Sequence, residues 1–179
     1  MLTLGGTLDG FATAYYFEKE SPLRNIIHQL KYGSMPSLGL ELGRRVGEAF
    51  RQTLDARDFS AILPIPLHPV KQRERGYNQS QYIARGIAGA LGIPMASSML
   101  VRRKHTRSQT TMTAREREHN VKGAFTVPPR AAATVSGNSF LLVDDVITTG
   151  ATIREAASTL KSCGAVFITA CSVALAELT

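Results

Sequence analysis

The strongest constraint on this chain is the stretch Phe140 to Thr152, FLLVDDVITTGAT. An apolar run, Phe140-Leu141-Leu142-Val143, ends in two carboxylates, Asp144 and Asp145. A short loop of hydroxyls with one glycine follows. Ile153, Ala156, Ala157 and Leu160 then recur at the spacing of one helix face. A continuous apolar strand feeding a loop and a helix is half of a βαβ unit, because parallel strands need a crossover and are buried on both faces. The expected fold is α/β, a central mostly parallel sheet flanked by helices.

Such a turn aims the unpaired N–H groups of the helix at the carboxyl edge of the strand. Thr148, Thr149 and Thr152 add hydroxyl donors around Ala151, and Gly150 lets the backbone close on a phosphate. Adjacent carboxylates about 4 Å apart repel by roughly 4 kcal/mol at an effective dielectric of 20. They persist at little cost if they accept hydrogen bonds from a sugar diol or flank a hydrated cation. Phosphate donors beside hydroxyl acceptors suit a ribose 5-phosphate better than a bare phosphate.

These residues carry a resemblance. Val143 to Thr152, VDDVITTGAT, resembles the phosphoribosyl pyrophosphate (PRPP) motif of type I phosphoribosyltransferases. The resemblance implies that Asp144 and Asp145 hold the ribose hydroxyls, directly or through hydrated Mg. It also implies that Thr148, Thr149, Gly150, Ala151 and Thr152 hold the 5-phosphate.

The rest of the chain bounds this reading. Its 179 residues make one domain able to bury a full core. Apolar residues at 44% and charged residues at 20% are those of a globular protein. No apolar run approaches a membrane span, and the first residues show no signal peptide, so the expected compartment is the cytoplasm. Cys163 and Cys171 read as small core residues rather than a disulfide or metal pair. The net charge of +7 is concentrated: Lys71 to Arg75 carries net +2 and Arg102 to Glu118 net +4. Basic segments attract polyanions, so PRPP, pyrophosphate and nucleic acid are all candidate ligands.

In chain order, Tyr15-Tyr16-Phe17 suggests a short strand. Ser21-Pro22 opens a helix that runs to about Lys31 and stops at Gly33, and a second helix spans about Ser37 to Leu54. Residues 1–57 are expected to form an N-terminal helical hood and residues 58–179 the α/β core. Lys31 and Tyr32 could line a site, although a solvated helix end is the simpler reading. Phe59 to Leu63 reads as the first core strand, and the prolines at 64, 66 and 69 as a block to strand or helix. KQRERGYNQS then reads as a rigid basic loop leading to a helix capped by Asn78. Met99 to Arg103 and Gly123 to Val127 read as strands. Lys104 to Val121, long, polar and basic, reads as a functional lid or a disordered loop, and the resemblance to type I enzymes implies a flexible lid loop. Pro128 to Asn138 is a connection, and Ala165 to Ala174 a last strand.

By the same resemblance, Arg75, Gly76 and Tyr77 stand where pyrophosphate is held. Arg107, Gln109 and Arg115 are the lid residues expected to touch the ligand, and Arg107 or Arg115 would neutralise the leaving charge. SPLRNIIHQLKYG at 21–33, LPIPLHPVKQRERGYNQSQYIARGIA at 63–88 and RRKHTRSQTTMTAREREHNVKGAF at 102–125 narrow it. With the PRPP motif they resemble the ComF (competence protein F) family of phosphoribosyltransferase-like proteins. Many members carry an N-terminal zinc ribbon of two CxxC pairs. This sequence has no cysteine before Cys163, so zinc is not carried over.

The expected function is a Mg-dependent phosphoribosyltransferase that uses PRPP and a nucleobase-like acceptor in a DNA-uptake setting. The competing reading is a non-catalytic PRPP-binding adaptor or regulator. It would contact uptake machinery or single-stranded DNA through the basic loops. Few aromatics, no Trp and only Tyr77 in the basic segments argue against a stand-alone single-strand binder. The acceptor base is not legible, and a homodimer would be an ordinary outcome.

Overall fold

In the computed structural model, residues 6–17, 22–104 and 114–176 are described, apart from the side chains of 114, 115 and 117. Four strands form one parallel sheet: β1 (Gly10–Phe17), β2 (Ala61–Pro64), β5 (Ser139–Ile147) and β6 (Phe167–Ala176). Their spatial order is β1-β6-β5-β2. In register, Leu142 of β5 lies beside Leu63 of β2 and Ala170 of β6. All carboxyl ends of a parallel sheet open on one edge, where ligands of such folds bind.

The alternation along β5 explains the layers. Phe140 and Leu142 face a cluster with Leu63, Ile168 and Ala170, closed by Ile153, Ala156, Ala157 and Leu160 of α7 (Ala151–Ser162). Leu141 and Val143 face the opposite cluster with Ile62, Cys171 and Val173. That face is covered by Leu42 and Val46 of α2 (Pro36–Phe50) and by Ile83 and Ile87 of α4 (Gln79–Leu91). α2 and α4 pack closely because glycines meet at the crossing. Each of Gly39, Gly43 and Gly86 is buried, with the other helix where a Cβ would stand.

Several expectations change here. β1 begins five residues before its aromatic cue and pairs with β6, so the N-terminal region supplies an edge strand of the sheet. α2 likewise belongs to the core layer, while α1 (Pro22–Tyr32) overhangs the carboxyl edge with Ile27 and Leu30 buried. After α1 the left-handed residue is Ser34, at φ 51°, rather than Gly33. Pro64 ends the edge strand β2, where its missing N–H costs no ladder bond.

The basic segment read as a rigid loop is a short helix, α3 (Pro69–Arg75). Pro69 sits at its first turn, where proline is pre-organised. His68 Nδ1 accepts from the Val70 N–H at 3.3 Å, and Gly76 ends the helix at φ 84°. The prolines thus started a helix rather than forbidding one.

The expected lid is partly helix too. α5 (Ala114–Val121) packs against α7, with the Glu118 carboxylate 2.7 Å from Arg154 Nη2. Residues 105–113 lie outside the described residues. The two short strands beside them, β3 (Val101–Arg102) and β4 (Phe125–Thr126), pair antiparallel as a separate ribbon. The connection expected at 128–138 contains α6 (Pro129–Val135), which buries Ala131 and Val135. Among the described residues, no helix is long and apolar enough to cross a membrane.

Candidate functional site at the carboxyl edge of the sheet

β5 does not stop at the carboxylates; it carries them to Ile147. Each of these successive carboxylates finds its own partner. Asp144 Oδ1 accepts from the Ser80 hydroxyl at 3.0 Å and from the Asp145 N–H at 2.9 Å. Asp145, 4% exposed, has its Oδ2 2.9 Å from the Lys31 ammonium at the end of α1.

Local chemistry places these partners. Asn78 caps α4 by accepting from the Ser80 N–H at 3.2 Å, and its amide donates to the Ile65 carbonyl at 3.0 Å. That bond ties the first turn of α4 to the end of β2, next to Asp144. The Tyr77 hydroxyl donates to the Leu30 carbonyl, one residue before Lys31, and so fixes the end of α1.

The pair is electrostatically asymmetric. Burial, and then the charge of Asp145, push the Asp144 carboxyl up to about 7. Burial also acts to raise Asp145, but the Lys31 ammonium outweighs it and holds that carboxyl below the usual range. Burial works against the charge on Lys31, yet Asp145 keeps its pKa above the ordinary lysine value. One carboxylate is thus firmly ionised beside another that accepts a proton near neutrality.

The strand then turns into α7 through Gly150, at φ 75°, a conformation a side chain would strain. Thr148, Thr149 and Thr152 are half-buried, while Gly150 and Ala151 are buried. Thr149 Oγ1 accepts from the Ala151 N–H at 3.4 Å. Arg154 braces the turn from outside, donating to the Thr149 carbonyl at 2.7 Å while its other nitrogen holds Glu118. The loop hydroxyls thereby stay at the rim with the helix N-terminus beneath them.

The structure brings Asp144, Asp145 and Thr148 to Thr152 together on one edge. Arg75 stands close by: its guanidinium lies 5.4 Å from the Tyr32 ring centroid and its charge acts on Lys31. Tyr77 is corrected. Its ring is 9% exposed and meets Tyr82 edge-on at 5.5 Å, so the side chain is a core anchor. Arg107 and Gln109 lie outside the described residues. Arg115 falls on α5, its side chain outside the description.

Three residues of this edge were not assigned to it from sequence. Lys31, read as a solvated helix end, is an ion-pair partner. Ser80 was passed over although it lies at the second position after a legible cap. Arg102 was read only as strand. Its guanidinium stands 5.4 Å from the Phe125 ring centroid, where burial lowers its pKa and the charge of Asp144 opposes that. A separate open cleft of about 710 Å³ lies between the C-terminal ends of α2 and α4, lined by Arg51, Asp55 and Gly92 among others. It shares none of these residues. Among the described residues no three His, Cys, Asp or Glu side chains gather as a ready-made metal site.

Comparison with known proteins agrees with this geometry. The profile of the phosphoribosyl transferase domain matches residues 78–178. The chain is 33% identical over 151 residues to competence protein F of Haemophilus influenzae, covering 80% of this chain and 63% of that protein. It is 33% identical over 150 residues to the DNA utilization protein YhgH of Salmonella typhi, and 32% identical over 150 residues to that of Escherichia coli K12. In both cases 80% of this chain and 63% of the relative are covered. The chain thus spans less than two thirds of the length of these curated relatives. On the match to the domain and the relatives together, the chain belongs to the phosphoribosyl transferase domain family, in its competence protein F group.

Proposed function

We propose that this chain binds PRPP at the carboxyl edge of its sheet and transfers the phosphoribosyl group to or from a nucleobase-like acceptor. The observation that carries the reading is the junction of β5 and α7. There, two adjacent carboxylates stand within a few residues of a glycine turn opening a twelve-residue helix. Helix N–H groups and threonine hydroxyls suit the 5-phosphate, and the carboxylates suit the ribose hydroxyls. Arg75 and the backbone at Gly76 would hold pyrophosphate, and Arg107 or Arg115 would meet its growing charge as the bond to the sugar breaks. A reaction of this kind asks the protein for orientation, charge stabilisation and exclusion of water.

The donor set fits Mg taken up together with substrate oxygens. Asp144 and Asp145 are hard oxygen ligands, too few to enclose the ion alone, and Mg retains waters and phosphate oxygens in such sites. Bound there, Mg would neutralise pyrophosphate as it leaves.

The relatives' names speak of competence and DNA utilization, which supports a role for this chain in the handling of incoming DNA. The test is calorimetry with PRPP and Mg, followed by a nucleobase panel assayed for pyrophosphate. Saturable binding that is lost in Asp144→Asn/Asp145→Asn, with the fold intact by circular dichroism, is expected. Unchanged affinity in the double variant would reject the site. Pyrophosphate release with one base identifies the enzyme, and binding without turnover identifies a PRPP-dependent adaptor.

A further inference from the structure

Lys31 has no part in the reading above, yet it is the most committed lysine at this edge. Its ammonium is 2.9 Å from Asp145 Oδ2, and its side chain is only 29% exposed. The backbone that delivers it is clamped: Leu30 is fully buried, and the Leu30 carbonyl accepts from the Tyr77 hydroxyl. Tyr32, the next residue, carries Arg75 over its ring at 5.4 Å. The end of α1 is therefore fixed from both sides of Lys31, and the ammonium is held on the carboxylate rather than resting there from solvent.

The chemistry of that position is specific. Asp144 and Asp145 are adjacent carboxylates, the arrangement that draws a divalent cation, and a fixed ammonium already supplies a positive charge to one of them. A bare Mg ion would have to displace Lys31 or share Asp145 with it at close range, with like charges facing each other in a poorly solvated pocket. A metal-bound diphosphate escapes this conflict, because its excess negative charge gives the released ammonium a new partner. The charge of Arg75 opposes that of Lys31 and favours the release.

We propose that Lys31 is a tethered counter-ion occupying the cation position of the acidic pair. It excludes bare divalent metal from the ligand-free protein and leaves Asp145 only for a metal that arrives with a diphosphate. The inference rests on the reading of the acidic pair as a ligand site, and it assigns Lys31 a positioning role toward that pair.

The test uses the metal alone, so that its outcome is separate from PRPP binding. Free Mn²⁺ is followed by electron paramagnetic resonance at pH 8 in the wild type, Lys31→Met, Lys31→Arg and Lys31→Met/Asp145→Asn, each checked by thermal melting. Lys31→Met is expected to bind one Mn²⁺ at least tenfold more tightly than the wild type. Lys31→Arg should stay weak, and the double variant should lose the gain. A folded Lys31→Met that binds Mn²⁺ no better than the wild type overturns the proposal. If Lys31→Met does not fold, the wild type decides by nitrogen-15 resonance of lysine side chains. The Lys31 ammonium signal should hold still with Mg alone and move with Mg and pyrophosphate together; the same response to both would overturn the idea. Failure of PRPP to bind in calorimetry would instead count against the site reading while leaving the metal result interpretable.

Discussion

The α2–α4 crossing positions Ser80 against Asp144, and a single methyl group tests it. An added Cβ at Gly43 would fall within 3.0 Å of three backbone atoms of Ile83, among them its carbonyl carbon at 2.8 Å and Cα at 2.9 Å. Backbone has no rotamer to relieve such a contact, so the helices must part by several tenths of an ångström or more. Overpacking of this kind costs about 1–3 kcal/mol. The clash is with main chain alone, which puts Gly43→Ala toward the upper end. The better helix propensity of alanine returns up to about 1 kcal/mol, leaving a net loss of roughly 2 kcal/mol. Gly89, on the exposed face of the same α4, has nothing within 4 Å of an added Cβ. Gly89→Ala should therefore stabilise by about 0.5–1 kcal/mol. Urea unfolding of both variants reads the two signs directly. Because α4 carries Ser80, Gly43→Ala should also weaken PRPP affinity, whereas Gly89→Ala should not. Equal and small effects from both substitutions would show that the crossing is not as close as the glycines indicate.

Two further perturbations probe the site. Folding lifts the Asp144 carboxyl from the ordinary value near 3.8 to about 7, so it favours the protonated form. That contribution is complete below about pH 4 and is lost as pH rises through 7, on the order of 4 kcal/mol in all. Asp144→Asn should flatten the fall in unfolding free energy between about pH 4 and pH 7, and a variant whose stability follows the wild type across that window would refute the assignment. Arg154→Met removes the brace between the Thr149 carbonyl and Glu118. It should lower PRPP affinity about tenfold, equivalent to about 1.4 kcal/mol, with faster amide exchange over 148–152. Unaltered exchange there would mean the turn holds its shape without Arg154.

The sequence by itself determined whatever is written in neighbouring residues. Phe140 to Leu160 announces strand, turn and helix because burial on both faces, a positive-φ glycine and a 3.6-residue period are local requirements. Asn78 was legible as a cap for the same reason. His68 and Pro69 carried an equally local helix signal, but the weight given to three prolines hid it. Only the tertiary structure decided which distant groups meet. β1 joins the sheet because Gly10 pairs beside Thr169, and a single edge strand shows no pattern naming its partner. Lys31 looks from its neighbours like any basic residue ending a helix, and Ser80 like any hydroxyl in a first turn. They became partners of Asp145 and Asp144 when the buried faces of α1 and α4 docked on the sheet and set their distances. Hydrophobic burial fixes where those helices lie, and the polar contacts at their ends follow from that placement, so no local reading of charge could have paired them.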